Sequence, residues 1–241
     1  MNKQIQKIEK AYGIFLVKTG ILTKNTYRID EQGNIFALNL EDNNISNLSA
    51  LKGLISLQHL NLKNNEIRNI SALLELTNLE YLELGNDEIR NISALQKLTN
   101  LQHLDLWDNE INDISALKDL TNLKSLNLWN NKISDISALR ELTNLKSLDL
   151  WHNNISDIVA LKGLINLQFL NLGYNKISDI SALQGLISLQ SLDLRYNEIS
   201  NIAALKSLTN LQFFNLAHNN ISEADLIKLN QILNLIDKEN N

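Results

Sequence analysis

The chain has no cysteine, no proline and a single methionine, and only 5% of its residues are aromatic. Without cysteine there is no disulfide framework and no thiolate metal site, a usage that fits a reducing compartment. Without proline there is no Pro-rich stalk or linker. With so few aromatics, the 44% hydrophobic content is carried by leucine and isoleucine. Basic charge is also scarce: the net charge is -5, which speaks against a nucleic-acid surface. No apolar run approaches the ~20 residues of a membrane span. At the start, Gln6, Lys7, Glu9 and Lys10 precede a short "GIFLV", so no secretory signal is expected. A cytoplasmic location is expected, with secretion by a signal-free route as the alternative.

What the sequence has is a period. The pattern L-x-x-L-x-L-x-x-N-x-I begins at Ile35, Leu57, Leu79, Leu101, Leu123, Leu145, Leu167, Leu189 and Leu211, nine starts spaced 22 residues apart without insertion. In the unit at Leu123, Leu126 and Leu128 alternate with polar neighbours, the mark of a half-buried strand. Ile133, Ile136, Leu139 and Leu142 then recur every three residues, which predicts a short 3₁₀ or α turn bringing the chain back on the opposite side. Ser137 is the expected cap of that turn. One unit cannot bury its apolar face alone, but stacked units can. Asparagine follows each strand, as at Asn109, Asn131 and Asn153, where an amide can both donate to and accept from unpaired backbone groups of adjacent turns. Asp87 replaces it once, and a carboxylate that only accepts should make that unit a weak joint.

The ends are written differently. Residues 1–34 carry a helical pattern (Ile5, Ile8, Tyr12, Phe15, Leu16), followed by two strand-like runs around a glycine turn in "YRIDEQGNIFAL". Together they read as an N-terminal cap of helix plus hairpin strand. Residues 35–221 hold the nine units. Residues 222–241 read as a C-terminal cap helix and polar tail, with Ser222 as N-cap and Leu226, Leu229, Leu233 and Ile236 as its apolar stripe.

The phrase "LTNLKSLNLWNNKISDISALREL" resembles the 22-residue leucine-rich repeats of bacterial internalins, and also the phosphatase-regulating 22-residue repeat proteins of eukaryotes. The resemblance spans residues ~35–221. It implies an α/β solenoid, a right-handed superhelix with a concave parallel β-sheet, short 3₁₀ or α turns on the convex side and helical end caps. It also implies binding of other proteins on the concave face. The repeats read "ISAL" where many internalin repeats carry proline, and no Ig-like domain or wall anchor is seen, so an invasion role is not expected.

Alternation in each strand sends repeat positions 4 and 6 inward and positions 3, 5 and 7 outward. Position 7 carries all three tryptophans, Trp107, Trp129 and Trp151, on consecutive strands about 4.8 Å apart. Tyr81, His103, Phe169, His152, Tyr174 and Arg195 lie nearby, and Asp105, Asn127 and Asp149 form a polar row alongside. Clustered aromatics with a polar rim describe a protein-binding hot spot. Gly85 and Gly173 flank the tryptophans and are expected to leave gaps at both ends, which a purely structural ladder would not need. The expected function is therefore non-enzymatic binding of a protein or peptide by a monomer. Carbohydrate stacking on the same strip, or a structural scaffold without a dedicated ligand, are the alternatives.

No cofactor is expected. His59 and His103 stand two repeats apart, ~9–10 Å, too far to share one ion. His103 and Asp105 alone do not make a metal site. Asp105 and Asp149 on an open, solvated sheet have no means of excluding water, so acid–base catalysis is not expected.

Overall fold

The computed structural model describes residues 3–233 of the 241. An α-helix, α1 (Lys3–Tyr12), is followed by strands β1 (Val17–Lys18), β2 (Thr26–Ile29) and β3 (Ile35–Asn39). Eight three-residue strands then recur once per repeat: β4 (His59–Asn61), β5 (Tyr81–Glu83), β6 (His103–Asp105), β7 (Ser125–Asn127), β8 (Ser147–Asp149), β9 (Phe169–Asn171), β10 (Ser191–Asp193) and β11 (Phe213–Asn215). Helix α2 (Glu223–Leu233) ends the described chain. The strands form one sheet in sequence order. From β3 to β11 every pairing is parallel, while β2 runs antiparallel to β3 and β1 parallel to β2. Partners are one repeat apart, as in Leu82↔Leu104, so equal repeat length fixes the register. The architecture is the leucine-rich repeat solenoid, with 3₁₀ turns such as Ser137–Leu139 opposite the sheet.

The repeat leucines and isoleucines form one continuous core running the length of the arc, with Leu104, Leu106, Ile111 and Leu117 wholly buried. At roughly 1.5–3 kcal/mol for each fully buried side chain, this is the main driving force, most of it cancelled by chain entropy.

Asparagine closes the joints between units. Asn131 Nδ2 donates to Leu106 O of the preceding unit (3.0 Å) and to Leu128 O of its own (3.1 Å), while its Oδ1 accepts from Ile111 N (3.0 Å). Asn109, Asn153, Asn175 and Asn197 repeat the arrangement. At Asp87 the acceptor half survives, with Oδ1 taking Ile67 N at 2.9 Å, but Oδ2 is buried without a partner. Burial pushes this carboxyl up to about 8, so it holds its proton at neutral pH. A second ladder was not read from the sequence. The asparagine of "LTN" donates to a backbone carbonyl one turn back, as from Asn122 Nδ2 to Thr99 O and from Asn144 Nδ2 to Thr121 O, both 2.8 Å.

Two local expectations are corrected. Ser137 does not cap its turn. The 3₁₀ segment has no side-chain cap from that position; instead Asp135 Oδ1 accepts Ser137 N at 2.8 Å, and Asp113 and Asp179 do the same in their units, two positions earlier than expected. Phe15 does not continue the helical stripe. Gly13 takes φ 67° and donates its N–H to Glu9 O, so α1 stops at Tyr12 and Phe15 is 71% exposed. Ser222 does cap α2, its Oγ accepting Asp225 N at 3.2 Å. Leu229 is buried there and Leu226 packs against the core, whereas Ile236, the tail and the side chain of Leu233 lie outside the described residues.

Candidate functional site

Positions 4 and 6 are buried in every strand but the last, where Phe214 is only partly buried, so the neighbours at 3, 5 and 7 stand on the open concave face. Trp107, Trp129 and Trp151 are there, on that face and not in the core. The rings of Trp107 and Trp129 stack with centroids 5.3 Å apart and 14° between planes; Trp129 and Trp151 meet edge to face at 5.6 Å. Trp129 is the most open of the three at 37% exposure, and the outer two are half-buried.

The expected gaps beside the row do not exist, because the outer indoles fill them. A Cβ placed on Gly85 would stand 2.0 Å from Trp107 Nε1, and one on Gly173 would stand 2.7 Å from Trp151 Cδ1. Trp107 lies across Gly85 and Trp151 across Gly173, so the glycines serve the tryptophans and not an incoming ligand. Trp151 Nε1 is buried there without a hydrogen-bond partner.

The aromatic strip continues past the tryptophans by shifting one position along the repeat. Trp151 meets Tyr174 edge to face at 4.8 Å, Tyr174 stacks on Tyr196 at 4.0 Å, and Tyr196 on His218 at 4.0 Å. Tyr196 and His218 were not among the expected site residues. Their signal was available in position 8, a column in which every unit has positive φ. The first five members are Asp42, Asn64, Asn86, Asp108 and Asn130, the residues that tolerate left-handed backbone. The last four are His152, Tyr174, Tyr196 and His218, held at φ 54°, 53°, 55° and 58°. Histidine tolerates this region much as Asn and Asp do, but the two tyrosines are strained there, and such strain concentrates where a side chain is displayed for use.

The polar row has a structural task. Asp105 Oδ1 accepts Trp107 N (3.1 Å), Asn127 Oδ1 accepts Trp129 N (3.1 Å) and Asp149 Oδ1 accepts Trp151 N (2.9 Å). This side-chain turn recurs at Asn61, Asn171, Asp193 and Asn215 and explains why position 5 is Asn or Asp in eight of the nine units. Burial raises the carboxyls of Asp105, up to about 6, and Asp149. Phe169 is 49% exposed near the start of its strand. Arg195 Nε lies 2.9 Å from Asp193 Oδ2, an ion pair whose angle makes no hydrogen bond. His152 is exposed beside Trp151, their ring centroids 5.2 Å apart.

Glu83 is the exception at position 5. One methylene longer, its carboxylate accepts Tyr81 Oη at 2.8 Å instead of closing the turn. Tyr81 stacks on His103 at 4.2 Å and 7°. Tyr81 and His103 thus belong to a separate cluster from the tryptophan strip. The parallel register sets Glu83 opposite Asp105, and the ligand atoms of Glu83, His103 and Asp105 lie within 4.8 Å of one another. Among the described residues, no helix is long and apolar enough to cross a membrane.

Known proteins match this geometry. The family model for leucine-rich repeats in two copies matches residues 55–97, 99–141 and 143–185, and a second leucine-rich repeat model matches 179–221. A crystal structure of an internalin, InlF of Listeria monocytogenes, is 32% identical, with TM-score 0.83, over 97% of this chain and 70% of that one. Internalin C2 of the same organism is 31% identical, with TM-score 0.77, over 89% of this chain and 92% of that one. The Arabidopsis receptor kinase HAESA, solved with the peptide hormone IDA and the co-receptor SERK1, is 26% identical, with TM-score 0.72, over 81% of this chain and 36% of that one. No curated protein matches the sequence.

Proposed function

The chain belongs to the leucine-rich repeat family and is internalin-like, and from that membership we propose that it binds a protein or peptide on its concave face through the ring strip Trp107–Trp129–Trp151–Tyr174–Tyr196–His218. Proteins of this family are generally interaction modules, and HAESA holds a peptide hormone in its solved complex. The observation that carries the reading is the shift of the strip into position 8. There two tyrosines and two histidines occupy left-handed backbone that five other units give to Asn or Asp. A ladder serving stability alone would gain by keeping Asn.

The mechanism is rigid display. Except at Asp87, each unit is locked to the next by asparagine, so little ordering is lost on binding, and covering the exposed rings of Trp129, Tyr174 and Tyr196 supplies the apolar contact. The carboxylates of Asp105 and Asp149 beside the indoles favour partner segments that mix apolar and basic side chains. Affinity capture with the whole chain tests the proposal. A partner retained by wild type and lost with a folded Trp107/Trp129/Trp151→Ala variant supports it; equal recovery by both refutes it. Sugar-induced quenching of tryptophan fluorescence that disappears in Trp129→Ala would transfer the strip to a carbohydrate ligand.

A further inference from the structure

Outside the strip, the concave face contains one place where two acids stand on neighbouring strands. Position 5 runs Asn39, Asn61, Glu83, Asp105, Asn127, Asp149, Asn171, Asp193 and Asn215, so elsewhere an Asn separates the carboxylates. Like charges directly opposite one another destabilise a sheet unless something between them compensates. Lys63 Nζ pairs with Glu83 Oε2 at 3.6 Å and is shared with Glu41 Oε2 at 3.4 Å, so one divided cation offsets only part of that charge. His103 is the third member, two residues before Asp105 on the same strand face. Its ring is held by the stack on Tyr81, whose hydroxyl also fixes Glu83. Among the described residues neither ring nitrogen of His103 has a hydrogen-bond partner.

We infer that Glu83, His103 and Asp105 form a binding site for a divalent transition-metal ion of the zinc class, open to solvent above the sheet. The donor set is one imidazole nitrogen and two carboxylate oxygens, which suits zinc and its neighbours better than calcium or magnesium, ions that prefer oxygen alone. The ligand atoms lie within 4.8 Å of one another. Zinc bonds of ~2.0–2.2 Å require them to be ~3–4 Å apart, so the three side chains must draw together on binding. Asp105 keeps Oδ1 on Trp107 N, and its carboxylate is also hydrogen-bonded by the Asn127 side chain, a contact that an ion would replace. Glu83 reaches the site because its longer side chain does not close the local turn. The three protein ligands leave the remaining coordination positions to water.

Isothermal titration of the whole chain with zinc chloride tests this. One ion should bind per chain, magnesium should not compete, and zinc should raise the melting temperature. His103→Ala and Asp105→Asn should each weaken binding by at least ~10-fold, while His152→Ala should leave it unchanged. Cobalt should give visible absorption bands with wild type that are missing in His103→Ala, which separates ligation from a general loss of folding. Absence of saturable zinc binding, or binding by His103→Ala equal to wild type, overturns the inference. Neither result touches the partner capture by the tryptophan strip.

Discussion

Positions 7 and 9 of the repeat are two residues apart, yet they obey different rules. Position 9 is Asn in eight of nine units, and its one departure, Asp87, leaves a buried oxygen without a partner. Position 7 runs through Glu41, Lys63, Gly85, three tryptophans, Gly173, Arg195 and Ala217. The buried position must donate to two carbonyls and accept from one amide at once, and among small side chains only an amide does this. The exposed position answers to nothing in the backbone and is free to be used. Constraint in one column therefore marks where the fold is held, and variation in the other marks where the proposed partner site lies.

Breaking the inner column should have the largest effect. Asn131→Ala strands the carbonyls of Leu106 and Leu128 and the amide of Ile111, and should destabilise by ~2–4 kcal/mol in urea unfolding. Trp129→Ala should lower stability by less than ~1 kcal/mol and still remove partner binding. If the two variants unfold alike, the contrast fails.

Repairing the inner column comes next. Folded Asp87 keeps its proton up to about pH 8, whereas the unfolded carboxyl loses it near its ordinary value of 3.8. The contribution is full below the unfolded value and falls as pH rises toward the folded one. Wild type should thus lose stability between about pH 4 and pH 8. Asp87→Asn should flatten that slope and add ~1–3 kcal/mol at neutral pH. Identical pH profiles for the two proteins would remove the proposed weak joint.

The outer column should respond with smaller changes. Gly85→Ala puts a methyl where the Trp107 indole lies, so the ring must swing away. The stability change should stay below ~1 kcal/mol, with a shift in tryptophan emission toward that of an exposed indole. An unchanged spectrum would mean that the indole does not rest on Gly85. Smallest of all is Tyr196→Asn. Relief of left-handed strain and loss of stacking on Tyr174 and His218 should nearly cancel, within ~0.5 kcal/mol, while partner affinity falls. Unaltered affinity would shorten the binding strip to the tryptophans.

The period, the strand alternation and the position 9 asparagines were legible in the sequence because each depends on spacing along the chain, and an unbroken 22-residue repeat turns spacing into register. Local chemistry was less legible. Ser137 looks like a cap, but Asp135 reaches the same amide with a side chain of better geometry. Gly85 and Gly173 looked like vacancies because a sequence does not show which way a neighbouring indole lies down.

The sequence by itself determined the solenoid, its length in repeats and the face on which each tryptophan stands, since hydrophobic periodicity and equal units leave one way to bury the leucines. Only the tertiary structure decided which side chains from different strands meet. Glu83 beside Asp105 and His103, and Tyr174 beneath Tyr196, are neighbours across 20 or more residues of chain. Their contact depends on rotamers and local backbone, which alternation does not encode.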